Sequence, residues 1–122
     1  MTLSFVLIII GRFLLGGYFL QAGIRNFMNV PLHVSILEKK GVPMPREALY
    51  VALVVQVLGG AMVAFSVFPA IGAIGLILFT IGANYLYHNF TLYQGDERKS
   101  HLGSVLTNLG IIGGLLLVAA GF

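Results

Sequence analysis

Residues 3–23 read LSFVLIIIGRFLLGGYFLQAG, and this stretch decides the fold. A helix needs about 20 apolar residues to cross a bilayer, and here a single charge, Arg12, interrupts such a run. The run continues past any plausible signal-peptide cleavage site, so it reads as a retained helix. Three further stretches of the same kind follow at residues 48–67, 69–88 and 102–121. The four make up about two-thirds of the 122 residues, with no internal repeat or second domain. The expected fold is an all-α integral membrane protein, one domain over residues 1–122.

Composition agrees. Apolar residues make up 58% and charged residues 9%, against about 25% charged in an ordinary soluble domain, so the polar coat of a soluble fold is missing. Cysteine is absent, which removes disulfides, thiolate metal sites and thiol–disulfide catalysis. A net charge of +3 without a dense basic stripe gives no nucleic-acid surface.

The connections set the topology. Ser66-Val67-Phe68-Pro69 is an uncharged turn, with Pro69 suited to the first turn of the next helix. Between the first two spans, Asn29 and Pro31 mark a helix start and Gly41 a stop. Val30, Val34 and Leu37 recur between them at helical spacing, which predicts a short helix lying at the membrane surface. Gly41 to Pro45 then reads as an extended linker. The last connection runs from His88 to His101, with a turn at Gly95-Asp96. Short links between four spans predict an up-down-up-down antiparallel bundle. Arg25, Lys39, Lys40, Arg46, Arg98 and Lys99 all fall on the side of the two long connections. The positive-inside rule places that side in the cytoplasm and both termini outside.

Arg12 is the anomaly. An arginine at mid-bilayer costs about 2.5–3.5 kcal/mol and marks a functional candidate. No Asp or Glu lies within the spans, and Gln56 is the polar group closest to Arg12 in expected depth. An amide accepts hydrogen bonds without neutralising charge, so carbonyls and water, or an electron-rich ligand, must complete the shell. A structural Arg–amide clamp between the first two spans is the competing reading.

Other polar groups collect toward the cytoplasmic half. Tyr18 and Gln21 lie on the first span. Thr80, Asn84 and His88 share a face of the third, and Ser104 and Asn108 a face of the fourth. At about 1.5 Å per residue, Asn84 and Asn108 lie roughly 9 and 6 Å inward of centre. Such a stripe predicts a crevice opening inward; interhelical hydrogen bonds are the plainer alternative. Gly103, Thr107, Gly110 and Gly114, Gly59-Gly60, and Gly72 with Gly75 offer grooves for close helix approach. Zinc needs three or four convergent ligands and a two-helix haem needs histidines on separate spans. His33, His88 and His101 supply neither pattern, so no metal is expected. His88 beside Tyr85 and Tyr87 reads as an interfacial belt residue or as a proton-exchanging group at the crevice mouth.

These residues also carry a resemblance. Gly11-Arg12-Phe13-Leu14, Phe19-Leu20-Gln21-Ala22-Gly23, Gly41-Val42-Pro43, Gln56-Val57-Leu58-Gly59-Gly60, Tyr87-His88-Asn89-Phe90 and the segment from Asn108 to Gly114 resemble, in order and spacing, the DoxX family of small bacterial membrane proteins. Similar proteins often carry Glu where this chain has Gln56, and Lys near Asn26, where Arg25 is the neighbouring charge. The resemblance implies association with membrane oxidoreductase systems: a terminal quinol oxidase, thiosulfate:quinone oxidoreduction, and complexes handling thiol and oxidative stress.

The leading expectation is a redox-associated protein of the bacterial inner membrane. It would bind a quinone-like or lipid-like molecule through Arg12, Tyr18, Gln56, Asn84, His88 and Asn108. No intrinsic cofactor is expected, so any oxidation would need a bound quinone or a membrane or cytoplasmic redox partner. A homo-oligomer is compatible with the sequence. The alternatives are a small-solute carrier or channel, disfavoured by the missing inverted repeat, and a structural subunit of an oxidoreductase complex.

Overall fold

The computed structural model describes residues 2–122. Five α-helices and one 3-10 turn make up the described chain: α1 (Leu3–Phe27), α2 (Val30–Lys39), α3 (Pro45–Ala64), α4 (Pro69–Tyr87), the 3-10 turn Phe90–Leu92, and α5 (Gly95–Ala119). α1, α3, α4 and α5 are each long and apolar enough to span a membrane. Leu14, Leu58, Ile71, Leu78, Leu109 and Leu117 turn outward and are more than half exposed. A soluble protein does not leave so much contiguous apolar surface in water; here it faces the bilayer.

The helix ends follow local chemistry. Thr2 accepts a hydrogen bond from the backbone N–H of Phe5 and caps α1. α2 begins at Asn29 and Pro31, as expected, and ends in a Schellman motif. There Gly41 (φ 78°) donates to the carbonyl of Glu38, and Val42 to that of Leu37. α3 ends the same way, except that Ser66 takes the left-handed position, at φ 56°.

α1 runs on to Phe27, past the expected end near Gly23, α3 stops at Ala64, short of the expected 67, and two helix starts also differ from the expected ones. α3 starts at Pro45 and not at residue 48, because proline is tolerated in a first helical turn, where no intrahelical N–H is needed. The extended linker is correspondingly shorter. α5 starts at Gly95, seven residues before the expected 102. Its first turns, with Asp96 and Glu97 at the positive helix end, are polar and helical, so hydropathy does not see them.

Packing depends on glycine at two crossings. A Cβ on Gly16 would sit 2.2 Å from the backbone N of Ala64 and 2.5 Å from the carbonyl O of Gly60. A Cβ on Gly72 would meet the carbonyl O of Gly59 at 2.9 Å. Backbone thus touches backbone between α1 and α3 and between α3 and α4, and dispersion holds the helices where lipid removes any hydrophobic drive. The expected small-residue groove on α5 is not used this way. Gly103 and Gly110 have nothing within 4 Å of an added Cβ, and Gly114 meets only Leu15, at 3.6 Å.

α3 lies between α1 and α4, and α4 lies against α5. α5 returns to α1 around a core of Phe19, Val63, Ala73, Leu76, Leu115 and Val118. A second cluster joins Val34 and Leu37 of α2 to Leu49 and Leu53 of α3, with Leu86 and Tyr87 of α4 packed against it. α2 therefore folds its apolar face over one end of the bundle.

Candidate functional site

The α1–α3 crossing fixes the depth of every polar residue. Gly16 lies opposite Gly60 and Ala64, and Gly23 opposite Gln56 and Val57. Gln56 is thus level with Gly23, some 11 positions or roughly 16 Å along α1 from Arg12. Arg12 lies at the opposite end, beside the C-terminus of α5. Its Nε donates to the carbonyl O of Phe122 (3.0 Å) and its Nη2 to that of Gly121 (3.3 Å). The expected Arg12–Gln56 proximity does not form. Span-centring on hydropathy put Arg12 at mid-membrane, whereas the glycine contacts slide α1 so that its first turns extend past the α3–α4 turn.

Gln56 instead meets Asn26, whose Nδ2 donates to Gln56 Oε1 (3.2 Å). Above this pair is a cavity of about 610 Å³. Tyr18, Asn26, Gln56, Thr80, His88 and Asn108 supply polar groups to its wall, and His33 and Tyr87 lie at the α2 end. The remaining wall is aliphatic and aromatic, Phe19, Leu53, Phe79 and Leu86 among it, and no Asp, Glu, Lys or Arg lines it.

Gln56 is 3% exposed and Thr80 4%. The Thr80 hydroxyl donates to the carbonyl O of Leu76 (2.7 Å), leaving its lone pairs available. Among the described residues the amide N–H2 of Gln56 meets no acceptor, and no side-chain polar atom is both sealed off and unpartnered. The free donor of Gln56 therefore faces the cavity. Asn108 donates to Asn84 Oδ1 (2.6 Å), so Asn84 anchors Asn108 without itself lining the wall. Tyr18 is half exposed, its ring packed edge-on against Phe19. His33 Nδ1 and the Tyr87 hydroxyl share a hydrogen bond (3.1 Å) that ties α2 to α4.

Four of the six expected residues thus come together at the cavity: Tyr18, Gln56, His88 and Asn108. Asn84 stands behind them, and Arg12 is far away. Asn26, His33 and Tyr87 were missed. Asn26 was within reach of the sequence, because Gly16, Phe19, Gly23 and Asn26 recur at helical spacing and the first three are buried. His33 and Tyr87 needed the fold of α2.

Residues 7–89 match the DoxX family model. The chain belongs to the DoxX family. The match takes in α1 to α4 and with them Tyr18, Gln56, Asn84 and His88, and leaves Asn108 outside. The chain is similar to the inner membrane protein YphA of Escherichia coli (strain K12), 26% identical over 114 residues, covering 93% of this chain and 81% of that protein. No solved structure matches it. A DoxX-family chain with these residues offers an uncharged, largely apolar cavity with hydrogen-bond donors and acceptors at set points. Such a site fits a neutral amphipathic molecule better than an anion, since an anion would enter low-dielectric surroundings without a countercharge.

Proposed function

We propose that this DoxX-family protein binds a neutral, quinone-like molecule in the cavity between α1, α3 and α4 and serves a redox system of the inner membrane. The observation that carries this reading is the free amide donor of the buried Gln56, directed into an uncharged cavity. Gln56 would donate to one ring carbonyl. Asn108 and Thr80 offer further polar contacts, while Phe19, Leu53 and Phe79 would cover the apolar ring faces. A bound quinone would supply two-electron, two-proton redox chemistry; the protein's own part is to orient it and exclude water. Arg12 drops out of the binding set and becomes a clamp on the α5 terminus.

The six basic residues at the α2 end support a cytoplasmic location for that end, with the cavity in the inner half of the membrane. YphA, an inner membrane protein, supports the compartment. The test is titration of decylubiquinone into protein in lipid nanodiscs, with quinone extraction from mildly purified protein alongside. Saturable binding weakened about tenfold in Gln56→Leu, the loss of one hydrogen bond, is the expected result. Absence of both binding and co-purified quinone counts against the reading.

A further inference from the structure

His88 and His101 form a contact that ligand binding does not need. His88 caps the C-terminus of α4 and lines the cavity. His101 sits in the second turn of α5, following a run of exposed residues from Gln94 to Ser100. Their Nδ1 atoms are 3.3 Å apart. Tyr93 stacks on the His101 ring (4.1 Å between centroids, 19° between planes) and holds it in this orientation.

We propose that His88 and His101 act as a single-proton pair that connects the cavity to the water at the α2 end of the bundle. The link to a bound ligand rests on the quinone-like reading above; the sharing of one proton does not. Between two facing Nδ1 atoms there is room for one hydrogen, donated by one ring and accepted by the other. Each ring keeps its Nε2 for exchange. A proton taken up at Nε2 of His101 lets the Nδ1–H of that ring pass to Nδ1 of His88, which then releases its Nε2–H toward the cavity. Uptake breaks an O–H bond of water and forms an N–H bond, the two later steps each break one N–H bond and form one new bond to hydrogen, and no electrons move. A second proton on the pair is opposed, because both Nδ1 atoms would then carry hydrogens across 3.3 Å with two like charges adjacent.

The surroundings favour proton transfer over a metal. No three His, Cys, Asp or Glu residues come together among the described residues, and zinc sites draw at least three protein ligands. On α4, the neighbouring Tyr87 is engaged by His33 of α2. On the α5 side, Arg98 stands over the Phe90 ring at 5.6 Å, and Asn108 donates one N–H to Asn84. Asp96, Glu97 and Lys99 are exposed to solvent.

The test uses the full chain in lipid nanodiscs with ¹⁵N-labelled histidine, followed by NMR over about pH 5–8, where imidazole titrates. Wild type should take up one proton on the pair across this range, and in His101→Gln the His88 signals should change to those of a lone imidazole. Two independent titrations in wild type overturn the pair. Calorimetry of decylubiquinone binding in two buffers of different ionisation enthalpy then reads the coupling. A nonzero proton count should fall to zero in His101→Gln and in His88→Gln, with His101→Gln changing Kd less than about threefold. Binding without proton exchange in wild type overturns the coupling and leaves the binding site standing. No binding in wild type overturns both the coupling and the quinone-like reading.

Discussion

Arg12 and Phe122 are 110 positions apart in the chain, yet the guanidinium Nε of the first donates to the carbonyl oxygen of the second across 3.0 Å. With the second bond to Gly121, this ties the first span to the last at the end of the bundle away from α2. The helix α5 finishes in a Schellman motif, Gly121 donating to Val118 and Phe122 to Leu117. The two carbonyls beyond it have no helical partner, and Arg12 provides one. Arg12→Gln should therefore lower stability by about 1 kcal/mol and leave decylubiquinone affinity unchanged. Thermal unfolding followed by the same titration separates these effects, and a tenfold loss of affinity would return Arg12 to the binding site.

The glycine crossings predict a sharp contrast between positions that look alike in sequence. Gly16→Ala pushes a methyl into the backbone of Ala64 and Gly60, neither of which can turn aside as a side chain does. A loss of about 1–3 kcal/mol is expected, typical of overpacking. Gly110→Ala meets nothing within 4 Å, and alanine favours a helix by about 1 kcal/mol over glycine. Unfolding in a graded detergent series should show the first variant weakened and the second equal to or firmer than wild type. Equal weakening of both would mean that a second copy or another partner covers the α5 glycines.

What the sequence could show follows from what hydropathy and periodicity measure. Four spans, the tight turn at Ser66 and the short helix between Asn29 and Gly41 all appear in local patterns, and all formed. The stripe from Thr80 through Asn84 to His88 likewise put three residues on one face, two of them lining the cavity. Relative depth is a different quantity. It depends on how far one helix slides along another, and that was set by Gly16 against Gly60. Hydropathy centred 3–23 on the membrane, so Arg12 looked buried and level with Gln56. The 25-residue α1 in fact carries its partner-facing half toward Phe27. The pairing of Asn26 with Gln56 was hidden for the same reason, and that of His33 with Tyr87 because it depends on α2 folding back.

Asn84 and Asn108 offer a test of support within the site. Asn108 Nδ2 donates to Asn84 Oδ1 at 2.6 Å, and only Asn108 reaches the wall. Interhelical bonds of this kind average about 0.6 kcal/mol in membranes. Asn84→Leu and Asn108→Leu should each destabilise modestly, and the double variant should lose less than the sum, leaving a coupling of about that size in a double-mutant cycle. Asn108→Leu should also weaken decylubiquinone directly. Asn84→Leu should do so by a smaller factor, because it frees Asn108 to turn without removing it.

Gln56 presents an amide where a glutamate of the same shape would fit, and the cavity makes the consequence of that exchange measurable. Gln56 is almost wholly buried, its oxygen takes the Asn26 donor, and no basic side chain lines the wall. Gln56→Glu keeps the shape and the Asn26 bond and removes the amide donor. An ionised carboxylate there would be desolvated with no countercharge nearby, since Arg12 is held at the other end by Phe122. Burial of that kind holds a carboxyl group in its protonated form. The variant should therefore bind decylubiquinone well below neutral pH, where the protonated carboxyl can replace the amide as donor. Binding should fall as the pH rises and the group ionises. Wild-type binding should lack this particular loss, because an amide does not titrate. Affinity measured against pH for both proteins checks the prediction, and identical profiles would mean that Gln56 does not donate to the ligand.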